Sequence, residues 1–210
     1  MIEIYLIKYL TIGSLLGLTA GISPGPLLAL AITETLAHGK KEGFKIAISP
    51  LITDFPIIAV IFFFISKISK YSIIISVISF AGAIFMAYLG YGSIKTEGLK
   101  TDEAISKSKS MTKGVIANFL SPHPYLFWLT IGAPILIKAY EIHIMILIIF
   151  LTSFYVLLIG SKIAIVMAVE HSRTFLSDLL YIRVVRAMGV ALFLFSILFI
   201  YDGIKLLLSP

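Results

Sequence analysis

The chain has 210 residues, 59% of them hydrophobic and 13% charged, and its mean hydropathy of +1.05 excludes a water-soluble domain. Net charge is +6 and cysteine is absent, which excludes disulfides, thiolate metal sites and cysteine nucleophiles. The four histidines, at 38, 123, 143 and 171, lack ligand spacing, so the sequence gives no metal or cofactor site.

Six charge-poor runs cover residues 9–33, 46–66, 71–94, 114–137, 142–169 and about 184–208, each near or above the roughly 20 residues that cross a bilayer. The first run continues through residue 33 and is too long for a signal peptide. It holds Gly13, Gly17 and Gly21 on one helix face, where another backbone can approach. It is then interrupted by Ile22-Ser23-Pro24-Gly25-Pro26-Leu27-Leu28. Proline lacks the N–H and clashes with the carbonyl four residues back, so the helix should break here. Ser23 reads as the N-cap of a second half-helix with Pro24 at its first position, ending near Glu34, and residues 34–45 read as a polar turn.

The second run carries the one acid buried in any of the six. Asp54 lies in Ser49-Pro50-Leu51-Ile52-Thr53-Asp54-Phe55-Pro56, roughly 12 Å inside the membrane edge if the span starts near Ile46. An intramembrane acid costs about 2.5 to 3.5 kcal/mol on insertion scales, which makes it a functional candidate by default. The third run has no charge. Residues 95–113, rich in Lys, Ser, Thr and Glu, read as a cytoplasmic linker between repeats at 1–94 and 114–210.

The fourth run repeats the break: Leu120-Ser121-Pro122-His123-Pro124-Tyr125-Leu126 has the Ser-Pro-x-Pro-x-Leu order of the first, 98 residues later. Matching breaks in two halves point to an internally duplicated transporter with its site where the halves meet. Asn118 is placed to satisfy backbone groups freed by this break, and His123 either shuttles protons or is a hydrogen-bonded structural group. Tyr125 and Trp128 line a cavity or face lipid.

The fifth run adds Thr152, Ser153 and Tyr155, with Thr152 opposite Asp54 under the same 98-residue offset, and Lys162. Lys162 lies at a depth like that of Asp54, and either pairs with it or snorkels to the headgroups. Residues 170–186, with Phe175, Leu176, Leu179 and Leu180 at helical spacing, read as an interfacial helix. The sixth run offers no site.

The fold expected is therefore an all-α membrane protein of six transmembrane helices, built as two inverted three-helix repeats with helices 1 and 4 broken. Orientation follows from Lys and Arg. Loops after spans one, three and five carry Lys40, Lys41, Lys45, Lys95, Lys100, Lys107, Lys109, Lys113, Arg173, Arg183 and Arg186, eleven against five on the other side. Those loops are placed in the cytoplasm and both termini outside. The basic balance is this bias and implies no nucleic acid. Neither a Gly-x-Ser-x-Gly nor a His-Glu-x-x-His motif is present, so an enzyme reading has no residues to rest on.

These residues resemble the LysE/RhtB family of amino-acid exporters. Gly21 to Pro26 is similar to the family's Pro-Gly-Pro signature, Gly39-Lys40-Lys41-Glu42-Gly43 to its basic Gly-flanked loop, and Asp54 to its second-helix aspartate. Asn118 to Pro122 resembles its Asn-x-x-Asn-Pro-Lys element, with Ser121 in place of the second Asn and His123 in place of the Lys. The resemblance implies a six-helix plasma-membrane exporter of amino acids or analogues, driven by protons and compatible with a homodimer. On this reading the half-helix N-termini at Ser23, Pro24, Gly25 and Pro26 and at Ser121, Pro122 and His123 hold a substrate carboxylate, while Asp54 takes the ammonium or a proton. The competing class is a small cation transporter or channel with Asp54 as ligand.

Overall fold

A computed structural model describes residues 2–64, 71–95, 109–173 and 178–208 of the chain. With no water in the bilayer core, apolar runs must satisfy their own backbone groups, and here they do so as helices; among the described residues there is no strand. In chain order they are α1 (Ile2–Ile22), α2 (Pro26–His38), α3 (Lys40–Phe64), α4 (Tyr71–Ile94), α5 (Ser110–Phe119), α6 (Pro122–Phe127), a π-helical turn (Trp128–Gly132), α7 (Ala133–Ile142), α8 (Ile144–Arg173) and α9 (Asp178–Leu208). Among the described residues six stretches are long and apolar enough to cross a membrane: Ile2–Ile22, Lys40–Ile61, Ile73–Ile94, Pro122–Ile142, Ile144–Ser172 and Leu179–Leu208. Exposed apolar side chains such as Phe55, Ile84 and Tyr88 cover the outside, as a lipid-facing surface requires.

Several boundaries differ from the sequence expectation. The polar turn at 34–45 shrinks to Gly39: α2 continues to His38 and α3 starts at Lys40. Gly39 has φ 87° and ψ 170°, a backbone conformation that favours glycine. The helix containing Asn118 begins at Ser110, inside the stretch read as linker, while residues 96–108 lie outside the described residues. The separate interfacial helix at 170–186 is replaced by extensions of α8 to Arg173 and of α9 back to Asp178. Tyr181 and Val185 explain the second extension, since they bury against Leu36 of α2. Phe175 and Leu176 lie outside the described residues.

The glycine face of α1 sets the tightest helix pair. A Cβ on Gly13 would meet the Phe150 carbonyl at 2.6 Å, one on Gly17 would overlap the Phe154 carbonyl, and one on Gly21 would meet the Leu158 carbonyl at 2.7 Å. The contacts advance together, so α1 and α8 run parallel, and Gly21 ends α1 level with the middle of α8. On the other side α4 and α9 run antiparallel, with Gly90 against Gly189 and Gly203 against Phe80, and Ser196 donates to the Ala83 carbonyl at 2.8 Å. Gly17→Ala should lower the stability of the purified protein by about 1–3 kcal/mol, as overpacking does. Gly160→Ala should change little, because a Cβ there meets nothing within 4 Å. Thermal unfolding in detergent compares the two.

Candidate functional site

The site begins with prolines that leave carbonyls unbonded. In α3, Pro50 has no N–H for the Ile46 carbonyl, and the Ser49 hydroxyl donates to that carbonyl instead at 2.8 Å. The helix therefore passes through Pro50 and Pro56 unbroken, and Asp54 points inward at 5% exposure while Phe55 beside it points out at 77%.

Asp54 is held by neutral donors from two other helices. Asn118 of α5 donates to Oδ1 at 3.1 Å and also to the Thr53 hydroxyl at 2.5 Å. Tyr155 of α8 donates to Oδ2 at 3.3 Å, and the Trp128 indole lines the same cavity as the carboxylate. Asn118 thus serves the carboxylate directly, where the sequence suggested the freed backbone. Trp128, 1% exposed, is aimed by the π-helical turn. Pro134 cannot donate to the Thr130 carbonyl, the Ala133 N–H bonds the Trp128 carbonyl five residues back, and a side chain on Gly132 would overlap the indole. Single π turns inside helices are frequent at functional sites.

Lys162 neither pairs with Asp54 nor snorkels. It is 4% exposed and donates to the carbonyls of Gly21 at 3.1 Å and Ala20 at 3.4 Å. The cause is again proline: Pro24 has no N–H for the Ala20 carbonyl, and Gly25 lies beyond the helix, which leaves the Gly21 carbonyl open. An ammonium at these last carbonyls also complements the negative end of the α1 dipole. Asp54 is near enough to act on Lys162 through its charge, but no salt bridge joins them.

The two breaks differ from each other. The N-cap of α2 is Gly25 and its first residue Pro26, two residues later than expected from Ser23 and Pro24; no side chain caps it. The Ala29 N–H bonds the Gly25 carbonyl, so the N–H groups of Leu27 and Leu28 have no helical acceptor. At α6, Ser121 caps the His123 N–H, and Pro122 and Pro124 have none to offer. The first break keeps open donors; the second has used or lacks most of its own.

Both breaks, Asp54 and Lys162 meet in one cavity of about 260 Å³. Ser23, Pro24, Gly25, Pro26, Asn118, Ser121 and His123 line it with them, alongside apolar residues including Trp128, Phe154 and Phe195. Of the remaining candidates, Pro122 is buried at the start of α6 and is absent from the lining. Thr152 is exposed on the outer side of α8; Tyr155, almost one turn on, reaches Asp54 instead. The second-break ring of His123 is exposed and lies 5.6 Å from that of Phe199.

Beyond the apolar run that ends at residue 33, Glu34 of α2 accepts from Ser110 and Lys113 of α5 and contacts His38. Burial opposes its charge, but hydrogen bonds from His38, Lys113 and Ser110 outweigh burial and hold the carboxyl at about 2. A folded-state value below the ordinary 4.5 contributes stability that is full above the ordinary value and is lost as pH falls through the folded one. Acid unfolding should therefore show a loss of stability between about pH 4.5 and pH 2 that Glu34→Gln largely removes, measured as thermal stability against pH.

A largely apolar cavity that holds a buried acid and a buried lysine among apolar membrane-length spans is the architecture of a polytopic membrane transporter. The chain belongs to the LysE type translocator family, which matches residues 18–207, a range that includes both breaks, Asp54 and Lys162. The family is one of transporters and is not enzymatic. No curated protein and no solved structure matches the chain.

Proposed function

We propose that this translocator exports amino acids or close analogues across the cytoplasmic membrane in exchange for protons. The observation that carries the reading is the pair of buried, opposite charges that share one cavity without a salt bridge between them. Asp54 is hydrogen-bonded by neutral groups alone, and Lys162 by carbonyls. Each is costly to bury by itself. A zwitterion answers both, with its ammonium on Asp54 and its carboxylate on Lys162 and the open N–H groups of Leu27 and Leu28. A proton on Asp54 removes one half of that site, so proton and solute compete, and their alternation couples export to proton entry.

Alternating access follows if the chain is two inverted repeats, 1–94 and 114–210, rocking against each other. Two features support this arrangement. The first break lies level with the middle of α8. The α1 helix lies along α8 of the other half, and α5 lies in turn against α3, with Gly114 near Ser49 and Ile46. A homodimer is supported by Ser23 and Pro24, which lie outside any helix and are exposed, where non-helical backbone must be covered by protein or line a cavity. The excess of basic residues in the loops after spans one, three and five supports a cytoplasmic side for those loops and an outer side for both termini. The cation alternative draws on one carboxylate, since Asp54 is the only acid in the cavity lining among the described residues.

The test is flux of labelled amino acids in proteoliposomes with and without an imposed pH gradient. Gradient-stimulated movement of at least one amino acid is expected. Absence of any amino-acid flux from folded, inserted protein that conducts cations overturns the reading.

A further inference from the structure

We infer that the solute is an amino acid with an uncharged, apolar side chain, on the order of leucine or phenylalanine in size; this rests on the zwitterion reading above and narrows it. The inference comes from counting what remains free in the cavity. Lys162 has three N–H donors, and the Ala20 and Gly21 carbonyls take two. One is left for a substrate carboxylate.

Asp54 offers about four acceptor positions. Asn118 and Tyr155 fill two, and the single Thr53 hydrogen is closer to the Ser49 carbonyl at 3.2 Å than to Asp54 at 3.5 Å. The remaining positions are left for an ammonium. Once both poles are engaged, the lining holds, among the described residues, no second acid for a cationic side chain and no second Lys or Arg for an acidic one.

Apart from Ser23, Asn118, Ser121 and His123 at the two breaks, the rest of the wall is apolar. Phe127 and Phe154 stack with centroids 5.4 Å apart, Trp128 meets Phe154 edge-on at 5.4 Å, and Leu158 and Phe195 complete the wall. A charged side chain placed there would be desolvated without a partner. The volume of about 260 Å³ is below the roughly 300–1,000 Å³ of sites for drug-sized ligands, which limits the solute to a small one.

The experiment uses the purified full chain, reading both ligand-induced thermal stabilisation and inhibition of flux. The probes are leucine, phenylalanine, lysine and glutamate, together with isoamylamine and 4-methylpentanoate, which are leucine without its carboxylate and without its ammonium. Leucine and phenylalanine should bind. Lysine and glutamate should bind about 100-fold more weakly, and each one-poled analogue at least about tenfold more weakly, about 1.4 kcal/mol per factor of ten. Phe195→Glu, on a half-buried position of the wall, should shift preference from leucine toward lysine. Phe195→Ala, which removes bulk without adding charge, should retain leucine and improve tryptophan.

Lysine or glutamate binding as well as leucine overturns the inference and leaves the zwitterion reading standing. If neither any amino acid nor either analogue binds, the zwitterion reading itself fails. Equal binding of leucine and isoamylamine refutes the carboxylate pole at Lys162.

Discussion

Asp54→Asn should reduce gradient-driven flux about 100-fold while leaving the protein folded. The variant keeps the shape and an acceptor oxygen for at least one of the donors from Asn118 and Tyr155, so the local network loses strength and not its outline. What disappears is the charge that meets the ammonium and takes the proton. Truncating one partner of a buried charge contact costs about 2–5 kcal/mol, and about 2.7 kcal/mol corresponds to a factor of 100. Flux in proteoliposomes, with thermal unfolding as the folding control, measures it. Retention of more than about a third of the native rate contradicts the assignment.

Lys162→Met should do two things at once, and the combination distinguishes it from the Asp54 variant. The carbonyls of Ala20 and Gly21 lose their donor at a position where Pro24 and the end of α1 give no other, and a buried polar group left unsatisfied costs about 1–3 kcal/mol. The protein should therefore melt lower as well as fail to transport. Lys162→Arg should restore much of the stability through its guanidinium donors, but little of the transport, because the planar fork does not reproduce the geometry of an ammonium. A Met variant that unfolds at the native temperature would show that Lys162 does not cap α1.

Six apolar spans, helix ends beside Pro24 and Pro122 and the inward position of Asp54 were readable in the sequence, because proline chemistry and the cost of an intramembrane charge are local rules. The glycine face of α1 was equally legible as a close-packing surface, and α8 is the helix that packs there. The partner of Lys162 was not. Depth along two spans suggested Asp54, whereas the nearer demand came from carbonyls that Pro24 and the helix end leave open on α1. That demand is readable in principle, since Lys162 lies on the helix that parallels α1, but pairing of α1 with α8 is a tertiary fact.

Trp128 and Tyr155 were visible as polar or amphipathic residues, and nothing in their spacing aimed Tyr155 at Asp54 or Trp128 at its cavity. The indole depends on the π turn before Pro134 and on the room above Gly132. The offset that matched Thr152 to Asp54 assumed an exact register between the halves, and the side chain that arrives is almost a turn further on. The interfacial helix failed for a simpler reason: Arg183 and Arg186 suggested a surface segment, but Tyr181 and Val185 bury against α2 and carry α9 through it.

The central claim is that a solute ammonium and a proton compete for the carboxylate of Asp54. Its most direct test is the affinity of leucine for the purified protein by calorimetry from about pH 5 to about pH 7, a range in which the free amino acid itself stays zwitterionic. The account predicts affinity that weakens toward acid pH, with a limiting slope of about tenfold per pH unit for one competing proton, and a flat profile in Asp54→Asn at whatever affinity remains. A native profile that is flat, or a slope that persists in Asp54→Asn, would contradict it.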